Sequence, residues 1–157
     1  MLHRLLLLCL GLMACTPHPD LASERAALLR LHETARIAHL ETRADILVAS
    51  FADSVLDIAR GTVTVRSRSQ NRMRFQDYFD RSDITEWADL SPPIIRMSPD
   101  GQMAYVLVQK SVRLSAPDSL GVLHREHTVF AWVELYQKQN GNWTLMAVAS
   151  TDRTGAA

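Results

Sequence analysis

Cysteine is the scarcest chemically useful residue in this chain. Two occur in 157 residues, Cys9 and Cys15, and both fall within the first fifteen. The rest of the chain therefore holds no thiol for a disulfide, a nucleophile or a zinc site. An excess of either charge is also missing: 17 Lys and Arg stand against 17 Asp and Glu. No basic run is long enough to line a face, which sets nucleic acid aside as a partner. The six glycines are scattered, with no glycine-rich phosphate loop, and no serine sits in a nucleophile motif. Internal repeats and low-complexity tracts are absent, and nothing in the pattern calls for a cofactor or a metal.

Long apolar runs are lacking except at the start. Met1-Leu2-His3-Arg4 is a short positive stretch, and Leu5 to Met13 is apolar but too short to span a bilayer as a helix. It closes on Leu12-Met13-Ala14-Cys15. This resembles the bacterial lipoprotein signal, with Leu three before the cysteine and a small residue one before, although Met13 is bulkier than usual between them. The resemblance implies a signal peptide over residues 1–14, lipidation of Cys15, and a tether over 15–20 that contains Pro17 and Pro19. Thr16 stands where an aspartate would signal inner-membrane retention, so it implies a lipid anchor facing the periplasm, at the outer membrane rather than the inner. Several acyl chains, each contributing about 0.8 kcal/mol per buried CH₂, make such an anchor durable. Arg4 is the one charged residue in 1–14, so its removal turns 17 basic residues into 16 against 17 acidic. The roughly 140 residues that remain suit one domain, placed over 21–152, that buries about two-thirds of its surface.

Periodicity orders this domain. Asp20 is positioned to cap a helix over Ala22 to His39, with Leu21, Leu28, Leu31, His32, Ala35 and His39 on one face. Ala44 to Ala52 reads as a second, apolar helix ended by Asp53-Ser54. Val55 to Ala59 and Thr62 to Arg66 read as short strands about Gly61. Ser67 or Ser69 caps a third helix running to about Phe79, and Ile84 and Trp87 lie in a poorly periodic segment. Pro92-Pro93 stops any helix, and Ile94 to Ser98 enters a sheet. The last third reads as three long antiparallel strands: Gln102 to Leu114 with Ala104, Val106, Val108 and Val112 alternating, Leu123 to Lys138, and Trp143 to Ser150. Asn140-Gly141 supplies the strongest hairpin signal. The order is that of an α+β fold, a cone-shaped curved antiparallel sheet covered by about three N-terminal helices, with a cavity between the layers.

These pieces resemble the nuclear transport factor 2-like (SnoaL-like) superfamily. The matching segments are Ala38-His39, Asp45-Ile46-Leu47, Phe75-Gln76-Asp77-Tyr78-Phe79, and Pro93 through Gly101. They continue with Ala131-Trp132 and with Lys138 through Trp143, followed by Ser150. The resemblance spans about residues 21 to 152. It implies the fold; for function it implies a choice, because the fold carries dehydratases, isomerases, epoxide hydrolases, cyclases and non-enzymes.

The candidate site residues follow from the faces. His32 and His39, seven apart on the apolar stripe, could act as a general base and its partner or simply fill space with satisfied rings. Desolvation should lower their pKa values unless a carboxylate such as Asp45 or Asp57 compensates. Trp87, Tyr105, Phe130 and Trp132 join them as pocket candidates; with Tyr136 and Trp143 they could stack on a flat ligand or form ordinary core. His124 and His127, three apart on a strand, point to opposite faces and do not suit one metal ion. Asp45, Asp53 and Asp57 resemble the acids that enzymes of this fold use as bases, but no complete catalytic set matches residue by residue, so the catalytic residues are left unassigned. The reading is a membrane-anchored domain binding a small apolar or amphipathic molecule or a partner. A pocket enzyme with His32 or His39 as base is one alternative, and a dimerisation or assembly module is another. Apolar residues on both faces, as at Ala131-Trp132-Val133, lead us to expect a homodimer.

Overall fold

The structure is a computed structural model that describes residues 19–154; the expectations for Cys15 and the signal before it lie outside that range. Helix α1 spans Leu21–Leu40 and begins where expected, the Asp20 carboxylate accepting from the backbone N–H groups of Ala22 and Ser23. Glu24 ties the start of α1 to the sheet, accepting from Lys138 and, at 2.8 Å, from the Trp143 indole.

The second helix is shorter than its composition suggests. Helix α2 covers only Ala44–Leu47, a 3₁₀ turn follows over Val48–Ser50, and strand β1 already starts at Phe51 (Phe51–Ala59). Tertiary pairing wins over helix propensity here: Phe51 aligns with Leu145 in a parallel ladder, and its carbonyl accepts from Arg68 at 2.9 Å. Strand β2 is Thr62–Ser67, and helix α3 runs over Arg68–Arg81. Ser67 rather than Ser69 caps α3, in a reciprocal box with Gln70.

The poorly periodic stretch around Trp87 is in fact strand β3, Asp83–Asp89. Its alternation is hidden because the register with its partner shifts between Ile84 and Glu86, and an inserted residue moves the following side chains to the other face. Strand β4 is Ile94–Met97, and the long strands are β5 (Met103–Pro117), β6 (Leu123–Gln139) and β7 (Asn142–Thr154). At the β6–β7 turn Asn140 and Gly141 both take positive φ, 51° and 81°, the mirror-image turn that this pair favours.

The seven strands form one sheet in the order β2-β1-β7-β6-β5-β3, with β4 also on β5. The expected all-antiparallel pairing needs one correction: β1 and β7 run parallel, so the sheet is mixed. The connection from β1 to β7 runs through β2, α3 and β3 to β6, long enough to bring β7 back beside β1 in the same direction. The helices lie on one face. One core cluster gathers Leu28, Phe51, Val55, Val106 and Tyr136, and a second gathers Ala38, Ala44, Leu47, Phe79 and Ile84.

Candidate ligand-binding site

Alternation along the long strands decides what faces the helices. From β6 these are Phe130, Trp132, Glu134 and Tyr136; from β5 they are Ala104, Val106, Val108 and Lys110. The register lines them up in inward rows, with Lys110 opposite Phe130, Val108 opposite Trp132, Val106 opposite Glu134 and Ala104 opposite Tyr136. Leu31, His32, Ala35 and His39 of α1 face them, and with Arg74 and Phe75 of α3 they enclose a cavity of about 430 Å³. That volume suits a small organic molecule.

Of the residues singled out from the sequence, His32, His39, Trp87, Phe130 and Trp132 all line this cavity. Tyr105 does not. It is one position out of phase with Ala104 and Val106, so it lies on the opposite face of β5 with 42% of its surface exposed. Neither Asp45 nor Asp57 compensates a histidine: Asp45 pairs with Arg43 at 2.9 Å on the surface, and Asp57 with Arg66 at 2.7 Å. Asp53 pairs with Arg68 at 3.2 Å. His124 and His127 diverge, His124 bonding Asp118 and His127 bonding Ser111. Among the described residues no group of three or more His, Cys, Asp or Glu side chains comes together as metal ligands would.

Three charged residues that the sequence pattern does not single out organise the polar part. Lys110 is 2% exposed, and its ammonium donates to Asp89 Oδ1 at 2.6 Å. Asp89 ends β3 directly across the ladder from Lys110. Its carboxylate also meets His32 Nε2 at 2.9 Å, and His32 Nε2 lies 3.5 Å from Lys110 Nζ. Burial pushes the Asp89 carboxyl up, but the hydrogen bonds from Lys110 and His32 outweigh it, and its pKa falls below the usual value. This cluster fastens α1 to the sheet.

The third charge is Glu134. Its Oε1 accepts from the Trp132 indole at 2.9 Å and its Oε2 from the Tyr136 hydroxyl at 3.2 Å. Across the sheet its neighbours are Val106 and Val148, so its remaining exposure is to the cavity. Burial raises its pKa, against the opposing influence of Trp132, His32, Tyr136 and Lys110. Burial and the Glu134 carboxylate likewise push the Tyr136 hydroxyl well above its ordinary range.

His39 stacks on Trp87 with ring centres 3.7 Å apart and 12° between planes, and meets Phe75 and Phe79 edge-on. Its Nδ1 lies 2.7 Å from the Ala35 carbonyl. An acceptor at that distance assigns the proton to Nδ1 and leaves Nε2 as a bare acceptor. Burial in this aromatic nest lowers the ring's pKa to about 4, so it is neutral at physiological pH. Trp87, Trp132 and Phe130 continue the aromatic wall, successive ring centres being 6.2 and 6.3 Å apart.

The chain matches no protein-family model and no curated protein. Its fold has many solved counterparts. An NTF2-like protein from Cytophaga hutchinsonii superposes with a TM-score of 0.64 at 16% identity, over 81% of this chain and 96% of that one. A conserved protein from Planctomyces limnophilus gives 0.69 at 12% identity, over 85% and 98%. A ketosteroid isomerase-like protein from Erwinia carotovora atroseptica gives 0.62 at 13% identity, over 82% and 95%. Likeness at this identity is likeness of fold: the chain has the α+β, cone-like NTF2-like architecture.

Proposed function

We propose that the domain binds one small, largely apolar molecule between α1, α3 and the concave sheet, while a lipid on Cys15 holds it at the periplasmic side of the membrane. The cavity carries the binding reading: it has the volume of a ligand site, a continuous aromatic wall, and a few polar groups aimed into it. The lipid anchor rests on Leu12-Met13-Ala14-Cys15. Ala35 sits on the cavity wall between the two histidines, so Ala35→Trp fills the space without touching the polar groups. Nile red should bind the wild-type protein saturably, one per chain, with a rise in fluorescence that Ala35→Trp abolishes while circular dichroism stays unchanged. Equal dye response in both proteins would rule the cavity out as the binding site.

Proton-transfer catalysis is the alternative, and the bare Nε2 of His39 favours it over a reading based on His32, whose Nε2 is engaged by Asp89. A base with a pKa of about 4 is weak near neutrality, however, and an acceptor of ligand hydrogen bonds is the role that suits it better.

Assembly is a separate property of the opposite face. Two apolar rows cross the sheet there in register: Ile94, Leu107, Val133, Ala149, Ile58 and Val63, and beside it Tyr105, Leu135, Ala147, Leu56 and Val65. Helices leave this face uncovered, and a second copy of the chain, related by a two-fold axis, would bury the same rows on both partners.

A further inference from the structure

The hydrogen-bonding groups around the cavity are unevenly committed. The Trp132 N–H and the Tyr136 O–H both donate to Glu134, and the Lys110 ammonium is drawn to Asp89. These three donors are thus already engaged by protein acceptors, while the Arg74 guanidinium, 4.3 Å over the Phe75 ring, stands on the α3 side of the cavity. On the sheet and α1 walls around Glu134 what stays open is acceptor capacity: the remaining lone pairs of Glu134 and the Nε2 of His39. Ionic pairing is uneven in the same sense. Lys110 has Asp89, Asp57 has Arg66, and Asp152 has Arg60 at 3.6 Å. Among the described residues Glu134 has no cationic partner, and the sheet places valines on either side of it. The wall beside it is aromatic, and the faces of indole and benzene rings attract cations.

Resting on the cavity reading above, we propose that the ligand class is an apolar amine whose protonated nitrogen docks on Glu134 and whose body lies along Trp132, Phe130 and Trp87. A carboxylate ligand would meet the Glu134 carboxyl at the place where the cavity is most polar. A ketone or ester would find the nearest donors turned away from it. An ammonium instead supplies both the donor hydrogens and the positive partner that Glu134 lacks. Two cations stand nearby: Lys110 is compensated by Asp89, and Arg74 lies on the α3 wall over the Phe75 ring, where burial and Arg66 oppose its charge and Asp57 favours it. Burial pushes the Glu134 carboxyl up, and an ammonium docked on it favours its charged form.

Three probes with one body separate the chemistries: 2-naphthylmethylamine, 2-naphthalenemethanol and 2-naphthoate, titrated calorimetrically into the purified protein. The amine is expected to bind at least about tenfold tighter than the alcohol, a ratio that one desolvated cation–aromatic and charge contact supports. Naphthoate is expected to bind more weakly than both. Glu134→Gln should bring the amine down to the affinity of the alcohol and leave the alcohol within about twofold of wild type. If the alcohol or naphthoate matches the amine in wild type, or if Glu134→Gln leaves the ratio intact, the amine assignment is overturned while the cavity reading stands. If none of the three binds, both fall together. Should Glu134→Gln fail to fold, the wild-type ranking of the three probes still decides.

Discussion

Replacing Asp89 by Asn removes the counter-charge of an ammonium that is 2% exposed and hydrogen-bonded to it at 2.6 Å. Breaking a buried pair from one side leaves the other charge without compensation, at a typical cost of about 3–5 kcal/mol. Asp89 keeps about a quarter of its side chain in solvent, 27%, so some screening remains and the lower end, about 3 kcal/mol, is the better figure. Removing the other partner is cheaper. Lys110→Met leaves a carboxylate that reaches water and retains His32 at 2.9 Å, and its apolar side chain fits the row beside Phe130; about 1 kcal/mol is expected. The double variant should cost no more than Lys110→Met alone, because no buried charge is left behind. Urea unfolding of all four proteins gives the cycle. Asp89→Asn should lower the melting temperature by about 10 °C. If Asp89→Asn costs less than Lys110→Met, the cluster does not hold a buried ammonium and the reasoning is wrong.

Acid sensitivity should trace to His39. The unfolded chain takes a proton near pH 6.5 that the folded ring, desolvated by burial, refuses until about 4. Over that interval the unfolded state binds more protons, so stability is complete above about pH 6.5 and falls by up to about 3 kcal/mol as the pH drops to 4. His39→Phe keeps the stack on Trp87 and should flatten the urea midpoint between pH 7 and pH 4.5; parallel slopes in both proteins would contradict a buried neutral ring. Cys15→Ser should move the protein from the membrane fraction to the soluble periplasm, and a variant that stays with the membrane after signal cleavage would disprove the anchor. Sedimentation at high micromolar concentration should show a dimer that Leu107→Glu, between Ile94 and Val133 in the outer apolar row, converts to monomer. A wild-type protein that sediments strictly as monomer would refute the second-copy reading.

How far the sequence led differs between fold and site. The α1 cap at Asp20, the Asn140-Gly141 hairpin and the alternation of β5 are local signals, and local signals survive into the structure. Strand β3 and the early start of β1 were not legible, because both depend on a partner: a bulge against β5 in one case, a parallel ladder with β7 in the other. Among site residues, His32 and His39 stood out because histidine is conspicuous on an apolar stripe. Lys110 and Glu134 did not, although the pattern contained them. Ala104, Val106, Val108 and Val112 leave position 110 as the gap in the inward series, and Phe130, Trp132 and Tyr136 leave 134. A charged residue at an inward position of an otherwise apolar alternation is costly unless paired or functional, and that was the available signal. Asp89 had no such mark; only the pairing of β3 with β5 brings it opposite Lys110.

Everything proposed for the site depends on the cavity under α1 holding a small molecule. Native mass spectrometry decides this, on protein extracted gently from its own membranes and compared with Ala35→Trp prepared identically. The wild-type chain should carry a non-covalent adduct of small-molecule mass that collisional activation releases and that Ala35→Trp lacks. A wild-type spectrum without any adduct, or the same adduct on both proteins, would contradict occupancy of the cavity.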